Sequence, residues 1–322
     1  MSGRDLRWIL PFTLVEVTVV AFQNRYLLRP SPEINDLFVG VLGRAQRLYD
    51  MRVCSVAAMS THWHALLVPR DAEHLADFME HVDCNLSKEI GTRLHGWPGA
   101  MWNDRYHHVP VADEEAAQIA RLRYQLAAGV KENLVDRACD WPGVHSAKAL
   151  IEGADLVGHW YDRTKEYAAR QLRREKDVDA ERFATEERLV LSPLPCWEHL
   201  PDETWRRRVK ELVQDIDEEG RKERERTGKS SMGAKKILRI RPTRRPRIVE
   251  KSPRPPIHAK TEAKIKEWRE AYGEIVASFR QAAERLLSGD RDAEFPEGTF
   301  PPALPFVPFA ESPPVKARGQ PN

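Results

Sequence analysis

Cysteine is scarce in this chain of 322 residues: there are four, Cys54, Cys84, Cys139 and Cys196, and no two form a CxxC pair. That spacing argues against a zinc knuckle or a disulfide framework and suits a reducing compartment. Long apolar runs are also missing. The richest, Leu14 to Phe22, is too short to span a bilayer and contains Glu16. Nor is there the charged start, apolar stretch and small-residue cleavage site of a secretory signal. Charge of one sign is not in excess, since the formal net charge is +2. A polyanionic partner can therefore be argued only from where charge sits. No internal repeat is visible. The expectation is a soluble cytoplasmic protein with no membrane contact.

What is present suffices for a core. The hydrophobic fraction is 41%, while 31% charged residues and 23 prolines assign part of the chain to loop or tail. The length allows roughly two compact units. Residues 14 to 28 are β-branched and aromatic, and read as a strand. From Ile34 to Met51, Leu37, Phe38, Val41, Leu42, Ala45 and Leu48 recur at helical spacing. Two short β-rich runs follow, 52–58 and 62–69. Asp71 can cap a helix reaching Leu94, and a strand from Met101 to Val111 precedes a third helix from Asp113 to near Gly129. The order β-α-β-β-α-β-α predicts an α+β fold: a ferredoxin-like antiparallel sheet with helices on one face and one helix appended.

Beyond about 150 the character changes. Residues 153–192 lack a clear period. A helix from Pro201, with Trp205, Val209, Leu212, Val213 and Ile216 on one face, is expected to dissolve into the charge run 218–226. Between Lys235 and Arg254 nine Lys or Arg stand against one acid, Glu250. That stretch suits either a nucleic-acid backbone or a solvated linker. A last amphipathic helix carries Trp268, Tyr272, Ile275, Val276, Phe279 and Leu286 and stops at Gly289. The proline-rich tail with Phe300, Phe306 and Phe309 reads as extended. Residues 1–150 thus form one unit, and 151–322 a mostly helical, basic and partly extended C-terminal extension.

Two features carry candidate chemistry. In His62-Trp63-His64, strand alternation puts both imidazoles on one face and Trp63 on the other. Two imidazoles one pleat apart can chelate a divalent ion, although for an isolated HxH two ordinary histidines are the commoner account. On the third helix Ile119, Leu122 and Leu126 form one apolar stripe, and Tyr124 falls opposite it. Taken alone, it is a partly exposed tyrosine. Arg105, Arg121 and Arg123 flank these positions and can contact phosphate oxygens, or stand as plain surface arginines. His107 and His108 are read as non-ligands, and Trp97 and Trp102 as core.

In their order and spacing, THWHALLVP (61–69), FMEHVDCNLSKEIGTRLHGWPG (78–99), MWNDRYHHVPV (101–111), LRYQLAAGVKENLV (122–135) and WPGV (141–144) resemble the REP-associated tyrosine transposases. These are a branch of the single-tyrosine HUH transposases, and the resemblance covers nearly all of residues 10–150. It implies that His62 and His64 bind Mg²⁺ or Mn²⁺ and that Tyr124 attacks a scissile DNA phosphate. The product would be a 5′-phosphotyrosine link and a free 3′-hydroxyl. The implied partner is single-stranded or hairpin DNA, met by a monomer or homodimer. One position departs from the family pattern. An amide, commonly Asn, is usual four residues after the tyrosine; here stand Ala128 and, for the following proline, Gly129. Methyl cannot ligate. Either water or a group such as Gln125 or Gln118 fills the place, or the chain is a catalytically weakened hairpin-binding protein. Gln125 adjoins Tyr124 and so points about 100° away from it. A hydrolase with an unrelated HxH metal site is a third reading, in which Tyr124 plays no part.

Overall fold

The computed structural model describes residues 6–173, 179–246 and 255–302. The first unit runs β1 (Val15–Val20), α1 (Pro32–Tyr49), β2 (Arg52–Ala58), β3 (His62–Val68), α2 (Ala72–Leu86) and β4 (His107–Pro110). The four strands form one antiparallel sheet in the order β2-β3-β1-β4. This is the ferredoxin-like arrangement, with β3 inserted between the two strands that α1 connects. Local chemistry sets the helix starts. The Ser31 hydroxyl accepts from Ile34 N (3.2 Å) with Pro32 at the first turn, and the Asp71 carboxylate accepts from His74 N (2.7 Å).

Three boundaries differ from the sequence expectation. β1 ends at Val20 rather than near residue 28, because Gln23 and Asn24 adopt positive φ and turn the chain. α2 ends at Leu86 and continues as a π-helical segment, Ser87–Leu94. β4 keeps only four residues. The chain before it pairs by a single bridge, Ala21 to Trp102, whose indole donates to Asp83 O (2.9 Å).

Strand alternation separates the two faces of the sheet. Val15, Val17 and Val19 join Trp63 in the core beneath α1 and α2, where Trp63 meets Phe38 edge-on at 5.6 Å. The two helices of the ferredoxin-like unit lie on this face, as expected. The appended helix α3 (Glu115–Leu126) lies on the other, together with α4 (Ser146–Glu152).

The stretch without clear period forms β5 (Leu156–Tyr161), α5 (Arg163–Arg173) and β6 (Ala184–Leu189). β5 and β6 pair as a two-stranded antiparallel sheet whose backbone lies on α1, so close that a Cβ at Gly40 would stand 2.0 Å from His159 O. α6 (Asp202–Thr227) buries Trp205, Val209, Val213 and Ile216 in the second core. It does not dissolve at the charge run. Arg221 pairs with Glu218 and Glu225, and Arg226 with Glu223, one turn apart, which holds the helix through residues 218–226. α7 (Ala234–Ile237) and α8 (Glu262–Leu287) follow, and Gly289 (φ 101°) ends the last helix. Trp268 of α8 stacks on Trp8 at 4.6 Å. Phe300 packs on the first core, while Phe306 and Phe309 lie outside the described residues. Among the described residues no helix is long and apolar enough to cross a membrane.

Both outer strands are met by backbone from elsewhere. Beside β2, Ala57 bridges His145 and Val53 bridges Leu191; beyond β4, Val111 bridges His258. Ala112 N donates to His258 O and His258 N to Pro110 O, each at 2.9 Å.

Burial pushes both His108 and His145 down to about 4 from the usual 6.5. The unfolded chain takes up these two protons near pH 6.5, and the folded chain resists them until about pH 4. Stability therefore falls as pH drops through that window, by at most about 1.4 kcal/mol per group per pH unit. Urea denaturation at about pH 7 and about pH 4.5 checks it, with the slope flattened in His108→Gln and His145→Gln. A midpoint independent of pH would refute it.

Candidate active site

β3 supplies the first half of the site. His62 and His64 point to the face opposite Trp63, with ring centroids 5.6 Å apart. α3 supplies the second. Its Leu122 and Leu126 are buried, whereas Tyr124 is 42% exposed and meets the His64 ring edge-on at 6.4 Å. One phenol and two imidazoles thus share one cleft. Two cations lie against the phenol ring: the Arg121 guanidinium carbon at 3.7 Å and Lys131 Nζ at 3.8 Å from its centroid. Negative charge developing on a phosphate beside Tyr124 would meet both.

Beneath these groups lies a buried carboxylate. Glu16 sits on the same sheet face, since it and Thr18 alternate with the core valines. Glu16 accepts from Arg121 Nη2 (2.6 Å) and Gln125 Nε2 (3.1 Å). It lies 2.9 Å from His258 Nε2 and 3.7 Å from His64 Nδ1. Burial alone would raise its pKa. The hydrogen bond with His258, the neighbouring His64 ring and the Arg121 charge overcome that and hold Glu16 well below the usual carboxylate range. Three elements distant in sequence therefore meet at one ionised group.

The imidazoles present suitable donor atoms. His64 is buried and turns Nδ1 toward Glu16, and its Nε2 has no hydrogen-bond partner among the described residues. This carboxylate–imidazole order is the one that orients a ligating histidine. His62 Nδ1 lies 3.0 Å from Thr61 Oγ1; burial, then the His64 and Lys131 charges, push His62 down to about 3, so it is neutral at pH 7. Imidazole nitrogens so placed suit a divalent ion. Among the described residues no group of three or more His, Cys, Asp or Glu is placed to hold one.

The position of Ala128 has a structural explanation. α3 ends at Leu126, and Ala128 N turns back to Gln125 O (3.1 Å), so residue 128 is not one regular helical turn beyond Tyr124. Ala128 is buried in the apolar cluster that holds Val130, Val135 and Trp141. The alternative amides are engaged: Gln125 Oε1 accepts from Ser55 Oγ (2.5 Å) and Gln118 Oε1 from Cys196 N (3.0 Å). Ala128→Asn is thus expected to bury an unsatisfied amide and destabilise the fold by about 1–3 kcal/mol. Thermal melting measures this, and an unchanged or raised melting temperature would contradict the placement.

The other candidates separate. Arg121 belongs to the site. Arg123 pairs with Glu219 of α6 at 2.5 Å. Arg105 is exposed and lines a different cavity, of about 480 Å³, with His107, His108 and Trp268. His107 pairs in register with Thr18, which pairs with His64, so it shares the site's sheet face, whereas His108 takes the other. Trp97 and Trp102 are partly buried against the first core, in keeping with a packing role.

Glu16, Lys131 and His258 were not legible as site residues, and Gln125 only as a stand-in for the missing amide ligand. The one available signal was the acid inside Val-Glu-Val-Thr-Val-Val: a charge in a buried strand needs a partner.

No protein-family model and no curated protein matches the sequence. The chain is similar in structure to a putative transposase from Deinococcus radiodurans R1 (TM-score 0.27, 17% identity, covering 38% of this chain and 94% of that one). It is also similar to a REP-associated tyrosine transposase bound to a REP hairpin (TM-score 0.39, 14% identity, covering 47% of this chain and 86% of that one).

Proposed function

We propose that the protein is a transposase-like, metal-dependent strand transferase acting on single-stranded DNA at hairpin elements. The observation that carries this reading is the juxtaposition of Tyr124 with His62 and His64 across one cleft. In the step proposed, Tyr124 Oη attacks the scissile phosphorus and the P–O3′ bond breaks. The phenol proton leaves to solvent, and the 3′-oxygen takes up a proton to become a free hydroxyl. The 5′-phosphate stays on the tyrosine, one phosphoester having replaced another, so a 3′-hydroxyl can later reverse the step. His62 and His64 would hold Mg²⁺ or Mn²⁺, which when bound supplies Lewis-acid polarisation of the phosphate. Arg121 and Lys131 face the developing charge, and Glu16 keeps His64 oriented. Hairpin DNA as substrate rests on the resemblance of residues 10–150. In this reading residues 1–150 carry the chemistry and 151–322 brace it.

The test is incubation of the full chain with a pool of hairpin-bearing single strands and Mn²⁺, followed by denaturing electrophoresis and peptide mapping. A DNA adduct on Tyr124 is the expected result. The absence of any adduct across the pool would overturn the reading.

A second reading is favoured by one observation: residue 128 offers a buried methyl, and both nearby amide oxygens are occupied. On it the chain is a hairpin-binding protein weakened in cleavage. Tight hairpin binding without adduct at any Mn²⁺ concentration would select this alternative.

A further inference from the structure

The basic stretch after α6 gathers, among the described residues, a run of cations with no acid beside them in sequence. The preceding helix is a contrast: in α6, Arg221 and Arg226 are bound by Glu218, Glu223 and Glu225. From residue 235 to 246 the chain carries Lys235, Lys236, Arg239, Arg241, Arg244 and Arg245 and no acid. All six are exposed, and among the described residues none forms an ion pair.

This segment is held in place rather than free. At one end Met232 N donates to Asn133 O (3.0 Å) and Gly233 N to Leu134 O (2.9 Å). Those residues follow Lys131, whose ammonium lies on the Tyr124 ring. At the other end Tyr26 N donates to Arg244 O (3.2 Å), and the Arg25 and Arg29 side chains donate to Thr243 O and Leu238 O. The loop that carries these three residues is itself bonded to Ser60 O and Thr61 O, through Leu28 N and Ala21 N. Thr61 directly precedes His62. Ile237 is buried and pins the middle of the segment. The segment is therefore anchored on one side to the chain that follows Lys131 and on the other to the loop bonded to Ser60 and Thr61, its backbone tied down and its six cations exposed.

We propose that residues 235–246 form a basic strap that binds the backbone of single-stranded DNA flanking the scissile link. This rests on the reading of the site as DNA-processing, and assigns the strand's path to the C-terminal extension. An unpaired row of cations on a fixed backbone gains free energy by releasing counterions from phosphates and loses little side-chain ordering elsewhere.

The test uses the full chain carrying Tyr124→Phe, so that no covalent product forms. Binding of a fluorescent hairpin with a single-stranded flank is followed by anisotropy across a KCl series. The strap variant Lys235→Gln/Lys236→Gln/Arg241→Gln/Arg245→Gln is compared with Arg207→Gln/Lys210→Gln/Lys222→Gln/Arg226→Gln on α6. The strap variant is expected to bind about tenfold or more weakly and to lose about three from the log–log salt slope, at about 0.7 per phosphate contact. The α6 variant is expected to match the parent. Equal slopes in strap variant and parent would overturn the proposal. So would a strap variant that loses binding only to vesicles of phosphatidylserine and phosphatidylcholine. The outcome is separable from the adduct assay: strap-dependent binding with no adduct on Tyr124 in the unsubstituted chain sinks the cleavage reading and leaves the strap. Adduct formation with strap-independent binding does the reverse.

Discussion

Tyr124→Phe is expected to lower covalent DNA–protein adduct by at least about 10³-fold while leaving hairpin affinity within about twofold. The substitution removes one oxygen and nothing else. The ring is 42% exposed, makes no core contact on which the fold depends, and keeps its cation contacts with Arg121 and Lys131. Folding and binding should therefore persist, and the loss should be confined to chemistry. A strand labelled at its 3′ end reports the adduct, because the protein is joined to the 5′-phosphate of that fragment. The 5′-labelled fragment should end in a free hydroxyl, extendable by a polymerase. Turnover that survives this substitution would turn attention to a hydrolase built on the HxH pair, with Tyr124 a bystander.

Glu16→Ala is expected to cost about 3–5 kcal/mol of stability, because it strands buried cationic and polar partners rather than merely deleting a contact. Arg121 is mostly buried on its side chain and gives its shortest bond to this carboxylate. His258 and Gln125 would each lose a partner as well. The gentler Glu16→Gln keeps shape and acceptor but removes the charge that orients His64. In that variant Mn²⁺ affinity, read by electron paramagnetic resonance, should fall by about 10–100-fold. A double-mutant cycle of Glu16→Ala with His258→Ala should show about 1–3 kcal/mol of coupling. A Glu16→Ala protein that unfolds within about 1 kcal/mol of the parent would mean that the carboxylate is not the hub of the site.

How far the sequence could be read depended on the range of the interactions involved. The α1, β2 and β3 boundaries and the Asp71 cap are local events, set by alternation, helical spacing and capping, and they stand nearly where those patterns put them. The pairing of His62 and His64 on one face follows from the same alternation. The early end of β1 does not, since two left-handed residues, Gln23 and Asn24, turn a stretch whose composition still favours strand. The charge run of α6 misled because charge was taken as a helix breaker, whereas opposite signs one turn apart support a helix. The strands β5 and β6 were hidden because they lie on a helix and on each other, without one clean apolar face. Least legible was Glu16. Its partners lie 105, 109 and 242 residues away, and only folding brings Arg121, Gln125 and His258 to it.

The bridges that His145, Leu191 and His258 make along the outer strands have a consequence for the behaviour of the molecule in solution. An open ladder of amides and carbonyls is a template on which another chain can add, and here each margin is met at one or two points by the molecule's own backbone. A fragment ending at 150 would keep the His145 contact and lose the other two. It would uncover the end of the β4 margin at Pro110 and Val111 and strip Glu16 of His258 in the same cut, inviting self-association of a half-finished ladder. The end of the β4 margin and a partner of the buried Glu16 carboxylate thus come from the same short stretch of chain around residue 258.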